Sequence, residues 1–210
     1  MKFLYPLMLL ACSSLAQATT TNLTFDVFLG NDPIGFHRVS IEDLPDGRRV
    51  RVEAAMKVRF LFFTAFRYHH VADERWRDDC ILALETRTNN DGDRLQVAAE
   101  PLTDALEIDT GKERTRLEGC VRTFAYWAPD LLDSEFLLNT QNGNYEPVRL
   151  TELAPGPFEF NGRLYGARHY RLDVGDKASI DLWYGEDDSW QALRTTVADG
   201  RVLNYVRREG

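Results

Sequence analysis

Residues 49–58 alternate with a period of two. Val50, Val52, Ala54, Met56 and Val58 interleave with Arg49, Arg51, Glu53, Ala55 and Lys57. Wound into a helix, those apolar side chains would scatter around the cylinder; in a strand they share one face and leave the other wet. The same alternation runs through Phe25, Val27 and Leu29, through Val39 and Ile41, and through Ile180, Leu182 and Tyr184. Asp-Gly at 46–47, 91–92 and 199–200, and Asn-Gly at 142–143 and 161–162, punctuate the pattern. These dipeptides tolerate the positive φ that tight hairpins need. Gly30-Asn31-Asp32-Pro33 is a further turn, and segment 202–206 pairs across Asp199-Gly200 with 192–197. Many short strands joined by hairpins predict a mainly β chain, either a single curved antiparallel sheet or an open, flattened barrel. No linker, low-complexity tract or internal repeat divides it, so residues 19–210 are expected to form one domain.

Two stretches depart from the alternation. "CVRTFAYWAPDLLDSEFLL", residues 120–138, carries Pro129 and predicts one or two short helical turns. It is rich in large apolar residues, among them Phe124, Tyr126 and Trp127, which suit either a plug in the open end of a curved sheet or the wall of a pocket. In "FLFFTAF", residues 60–66, Phe60, Leu61, Phe62 and Phe63 are consecutive. Such a run is either a strand buried on both faces, or bending across a core, or an exposed rim that grips an apolar ligand or membrane surface. Beyond it alternation resumes, with Phe66, Tyr68, His70, Ala72, Glu74 and Trp76 on one face. Arg67, His69, Val71, Asp73 and Arg75 occupy the other. His69 and His70 therefore point to opposite faces and cannot converge on one metal or proton.

Lys2, the apolar run 3–11 and Ala16-Gln17-Ala18 resemble a cleavable export signal, residues 1–18. A rival reading takes Leu9-Leu10-Ala11-Cys12 as a lipobox, with Cys12 acylated and the protein anchored to the envelope. Either way the apolar run is shorter than the ~20 residues a helical span needs. The expected compartment is the periplasm. The formal net charge is −8, and removing residues 1–18 takes away only Lys2, which makes it one unit more negative. That balance argues against nucleic acid or an anionic membrane face as the partner. Cys80 and Cys120 are the cysteines beyond the leader, and in an oxidising compartment an even pair reads first as a disulfide. A metal site using both thiolates lacks the usual ligand spacing.

Catalytic signatures are missing. The sequence contains no Gly-x-Ser-x-Gly elbow, Ser-x-x-Lys pair or phosphate loop, and "NNDGDR" lacks the calcium-loop spacing. His37 and His169 stand without a recognisable nucleophile. A hydrolase built on His70 with Glu74 or Asp73 is the weakest reading, since four residues along a strand span about 13 Å. The chain reads as a non-enzyme without cofactor or metal.

The segments "DVFLGNDPIGFHRVSI", "VRFLFFTAFRYHHVADERWRDDC", "GCVRTFAYWAPDLLD" and "ASIDLWYGEDDSWQAL" resemble domain-of-unknown-function family 6134, exported bacterial proteins. A more distant likeness to family 3108 rests on the early "piG" turn and the late "lWys.d" strand. The resemblance implies a curved sheet similar to the half-barrels of periplasmic lipoprotein carriers; it implies no activity. The expected role is binding of a lipid or other hydrophobic small molecule in the sheet's concavity, with Phe60, Phe62, Phe63, Phe66, Tyr126 and Trp127 as candidate contacts. The alternative is an envelope protein with a filled core that binds a protein partner.

Overall fold

The computed structural model describes residues 19–60, 63–197 and 199–208, with the backbone alone for Phe60, Phe63 and Thr64. The expected leader, Cys12 and Phe62 lie outside these residues. The strands are β1 (Thr20–Leu29), β2 (Asp32–Leu44), β3 (Gly47–Phe60), β4 (Phe63–Arg77), β5 (Cys80–Asn90), β6 (Asp93–Pro101), β7 (Ala105–Asp109) and β8 (Arg114–Glu118). After a single 3-10 turn at Pro129–Asp133 come β9 (Phe136–Leu138), β10 (Tyr145–Glu152), β11 (Phe158–Phe160), β12 (Arg163–Tyr165), β13 (Arg168–Val174), β14 (Ala178–Tyr184), β15 (Trp190–Thr196) and β16 (Val202–Arg207).

Among the described residues, fourteen strands form one antiparallel sheet in the order β8-β7-β6-β5-β4-β3-β2-β1-β16-β15-β14-β13-β10-β9. No ladder joins β8 to β9, so the curved sheet is not closed into a barrel. Its two ends are bridged otherwise. Thr86 Oγ1 of β5 donates to the Thr140 carbonyl at 2.8 Å. A Cβ on Gly143 would lie 2.5 Å from Thr110 Cγ2, so the β9–β10 loop rests against the β6–β7 region.

Alternation buries the expected faces. Val50, Val52 and Ala54 are buried, as are Phe25, Val27 and Leu29, while Arg49 and Arg51 are exposed. Every Asp-Gly and Asn-Gly dipeptide falls at the predicted turn, and at Asn161-Gly162 both φ values are positive, 50° and 76°. The outer face of β14 and β15 is covered by the β11–β12 hairpin, whose Phe158, Phe160 and Tyr165 pack on Trp183, Ala192 and Val206.

Two segments singled out by their sequence take a definite course. Segment 120–138 holds the expected short helical turn, one 3-10 turn at Pro129–Asp133, and ahead of it Val121 accepts from Ile81 N–H at 2.9 Å and Arg122 from Leu138 N–H at 2.8 Å. The proline starts that turn, and backbone partners on β5 and β9 fix the start of the segment. At the run Phe60 to Phe63, β3 ends at Phe60, β4 starts at Phe63 and the two pair directly, while the burial expected of the run lies outside the described residues. Cys80 and Cys120 form the expected disulfide, Cα atoms 5.1 Å apart, closing a separation of 40 residues.

Candidate functional site

The concave face of the sheet encloses a cavity of about 750 Å³. Its floor is segment 121–128. The disulfide ties this segment to the start of β5, and aromatic contacts seat it: Trp127 meets Trp76 edge-on at 5.4 Å, and Tyr126 leans on Trp190 at 5.3 Å. The Tyr184 hydroxyl donates to the Tyr126 carbonyl at 2.9 Å, and Trp190 stacks on Phe25 at 3.8 Å. These bonds satisfy polar groups that burial would otherwise leave unpaired.

The walls are inward-facing strand positions: Val52, Ala54, Met56 and Val58 of β3, Phe66, Tyr68, His70 and Glu74 of β4, and Leu193, Leu203 and Tyr205 of β15 and β16. At the opposite end the lining turns polar and exposed, with Asn90, Gln141, Lys177, Asp199 and Arg201 on four separate connections. The cavity therefore has an aromatic bottom, apolar sides and a wet mouth. Its size lies within the ~300–1,000 Å³ of small-molecule sites.

Register aligns the polar groups inside. His37 of β2 opposes Ala54 of β3, Ala54 opposes His70 of β4, and His70 opposes Thr88 of β5. His70 Nδ1 lies 2.8 Å from Thr88 Oγ1. His37 is met edge-on by Trp190 and Tyr205, each at 5.7 Å. Burial, reinforced by His70, lowers the His37 pKa to about 4; burial, with His69 nearby, lowers His70 to about 4 as well. Both imidazoles are neutral at neutral pH. Glu74 sits nearer the floor, its Oε2 accepting from Trp76 Nε1 at 2.7 Å. Burial raises its pKa to about 7 against the opposing effect of that hydrogen bond.

The lysine and arginine that line the cavity stand at its mouth, and both are paired: Lys177 with Glu146 at 2.5 Å and Arg201 with Asp199 at 2.5 Å. Among the described residues no group of three histidine, cysteine or acidic side chains is placed to hold a metal ion. His69 lies on the outer face, 3.6 Å from Glu53, and so is separated from His70 by the sheet.

Of the residues singled out from sequence, Phe66, Tyr126 and Trp127 line the cavity together. The backbones of Phe60 and Phe63 stand at the β3–β4 hairpin end; Phe62 lies outside the described residues. Sequence reasoning passed over Trp190, Tyr205 and His37, which share the lining. Tyr205 falls within the predicted last strand and Trp190 just ahead of its partner, so the alternation of faces was the signal available for both.

A sheet curled around an apolar chamber, plugged at one end and wet at the other, defines a class: open-barrel proteins with an internal cavity. The chain matches Domain of unknown function (DUF6134) over residues 25–208 and belongs to that family. Among solved structures it is similar to the beta-barrel-like protein of domain of unknown function DUF1849 from Brucella abortus, with a TM-score of 0.64, 8% identity, and coverage of 90% of this chain and 95% of that one. At that identity the likeness is one of fold. No curated protein matches the chain.

Proposed function

We propose that this protein is a non-enzymatic binder that holds a lipid or other hydrophobic small molecule in the cavity of its sheet. The observation that carries the reading is the cavity itself, about 750 Å³ with Trp127, Tyr126 and Trp190 at its floor. An interior built only for stability would be filled to crystal-like density. Among the described residues the large apolar side chains exposed elsewhere, Leu102, Phe136 and Leu164, stand apart on the β6–β7 loop, β9 and β12, so a partner-binding surface has less support than the chamber. The disulfide, and a set of described helices none long and apolar enough to cross a membrane, are compatible with an exported protein working in the cell envelope.

The test is native mass spectrometry of protein purified from its host's envelope, followed by organic extraction. The expected result is a bound apolar molecule that is released, or never retained, in Trp127→Ala. An unliganded mass that takes up no lipid on incubation would move the reading to a protein-binding role.

A further inference from the structure

The cavity's polar groups restrict what can enter it head first. His37 and His70 face the chamber from β2 and β4, two strands apart in one row. Neighbouring strands are spaced ~4.8 Å, so their Cα atoms stand about 10 Å apart. Between them the row carries only Ala54, whose small side chain leaves a notch flanked by the two imidazoles. Thr88 Oγ1 engages His70 Nδ1, which leaves Nε2 for a further partner. His37 is surrounded by ring edges and carbon, and no protein side chain among the described residues is within hydrogen-bonding reach of it.

Charge narrows the choice. The cations that line the cavity are committed to Glu146 and Asp199 at the mouth, and the acid deeper inside is Glu74. A carboxylate or phosphate brought down to the histidines would lose its hydration with no countercharge to replace it, and would approach a carboxyl group. A plain hydrocarbon would leave the His37 nitrogens unpaired. An uncharged polar end meets both conditions without carrying a charge out of water.

We infer that the ligand is an uncharged amphiphile whose buried end carries a hydroxyl or carbonyl, received between His37 and His70 above Ala54. This rests on the binding reading above and adds the chemistry of the head and the direction of entry. A neutral imidazole donates through one ring nitrogen and accepts through the other, so the pair can serve a hydroxyl or a carbonyl. Their low proton affinity keeps them uncharged across the range in which an envelope protein works.

The experiment is displacement of an uncharged fluorescent dye, N-phenyl-1-naphthylamine, at pH 8 by dodecanol, dodecanoate and dodecylamine. The three share a chain and differ in the charge of the head. Dodecanol is expected to displace the dye at a concentration about tenfold below that of dodecanoate, the ratio equivalent to one lost hydrogen bond to a buried group. In His37→Leu and His70→Leu that preference should shrink, with an unchanged far-UV circular dichroism spectrum as the control for an intact sheet; His37→Gln, which keeps a donor and an acceptor, should restore part of it. Equal or better binding of dodecanoate, or a preference untouched by both leucine variants, overturns the inference while leaving the cavity reading in place. Tightest binding by dodecylamine also overturns it and assigns the head to the Glu74 carboxylate. Failure of the folded protein to bind the dye or any of the three sinks the cavity reading itself.

Discussion

Glu74 and the inward histidines make stability respond to pH in opposite senses. The folded chain holds the Glu74 proton up to about pH 7, whereas an unfolded chain releases it near 4.5. Between those values the folded state binds more protons, so this group's contribution falls as pH rises. For His37 and His70 the folded pKa is about 4 against 6.5 when unfolded, so the unfolded chain takes up more protons and their contribution falls as pH drops through that window. Glu74→Gln should therefore gain in urea midpoint over the parent as pH rises from 5 to 7, and His37→Leu should gain as it falls from 6.5 to 4. A Glu74→Gln difference constant with pH would mean that the carboxyl is not held protonated. The faces of His70 and Glu74 were readable from alternation in β4. The alignment of His70 with His37 was not, because it depends on the pairing register of β2, β3 and β4, which no local pattern encodes.

Among the elements, β2 has the least tolerance. A Cβ at Gly35 would sit 1.9 Å from the Ala55 carbonyl oxygen and 2.9 Å from Met56 Cα, both backbone atoms of β3. Gly35→Ala must push the two strands apart, and the expected loss is about 1–3 kcal/mol, read as a lowered denaturant midpoint. The floor segment depends on its covalent tie. On the chain-entropy view the Cys80–Cys120 bond contributes ~3–4 kcal/mol. Cys80→Ser with Cys120→Ser should lower the melting temperature and also weaken dye binding, because segment 121–128 is then seated by hydrogen bonds and aromatic contacts alone. Unchanged dye affinity would show that the floor needs no covalent anchor. The hairpins were legible because Asp-Gly and Asn-Gly need no tertiary help to turn. The short turn in segment 120–138 was legible from Pro129; the seating of the segment's start was not, because Val121 accepts from Ile81 on β5, far away in sequence.

Across the whole molecule, the sheet has two free edges that are far from equivalent to its middle. Strands β1 and β16 are paired on both sides, whereas β8 has a neighbour only in β7. Hydrogen exchange should be fastest at outward amides of Arg114–Glu118 and slowest in β1, β2 and β16. Equal protection of β8 would show a strand-pairing partner in solution. The charged sequence Arg114-Thr115-Arg116-Leu117-Glu118 guards that edge against such pairing. Mainly β architecture and curvature were foreseeable from the strand count. An open, unclosed sheet was foreseeable with them; the way its two ends meet was not, since it turns on the short contacts of the β9–β10 loop.

The gap between β8 and β9 has a mechanical corollary. In a closed barrel, strand number and stagger dictate the circumference. Here the hoop is completed by the Thr86–Thr140 hydrogen bond and the Gly143 loop contact, so no ladder of backbone bonds dictates its girth. On the binding role proposed above, such a clasp would let the same wall yield to guests of unequal bulk without unzipping a strand.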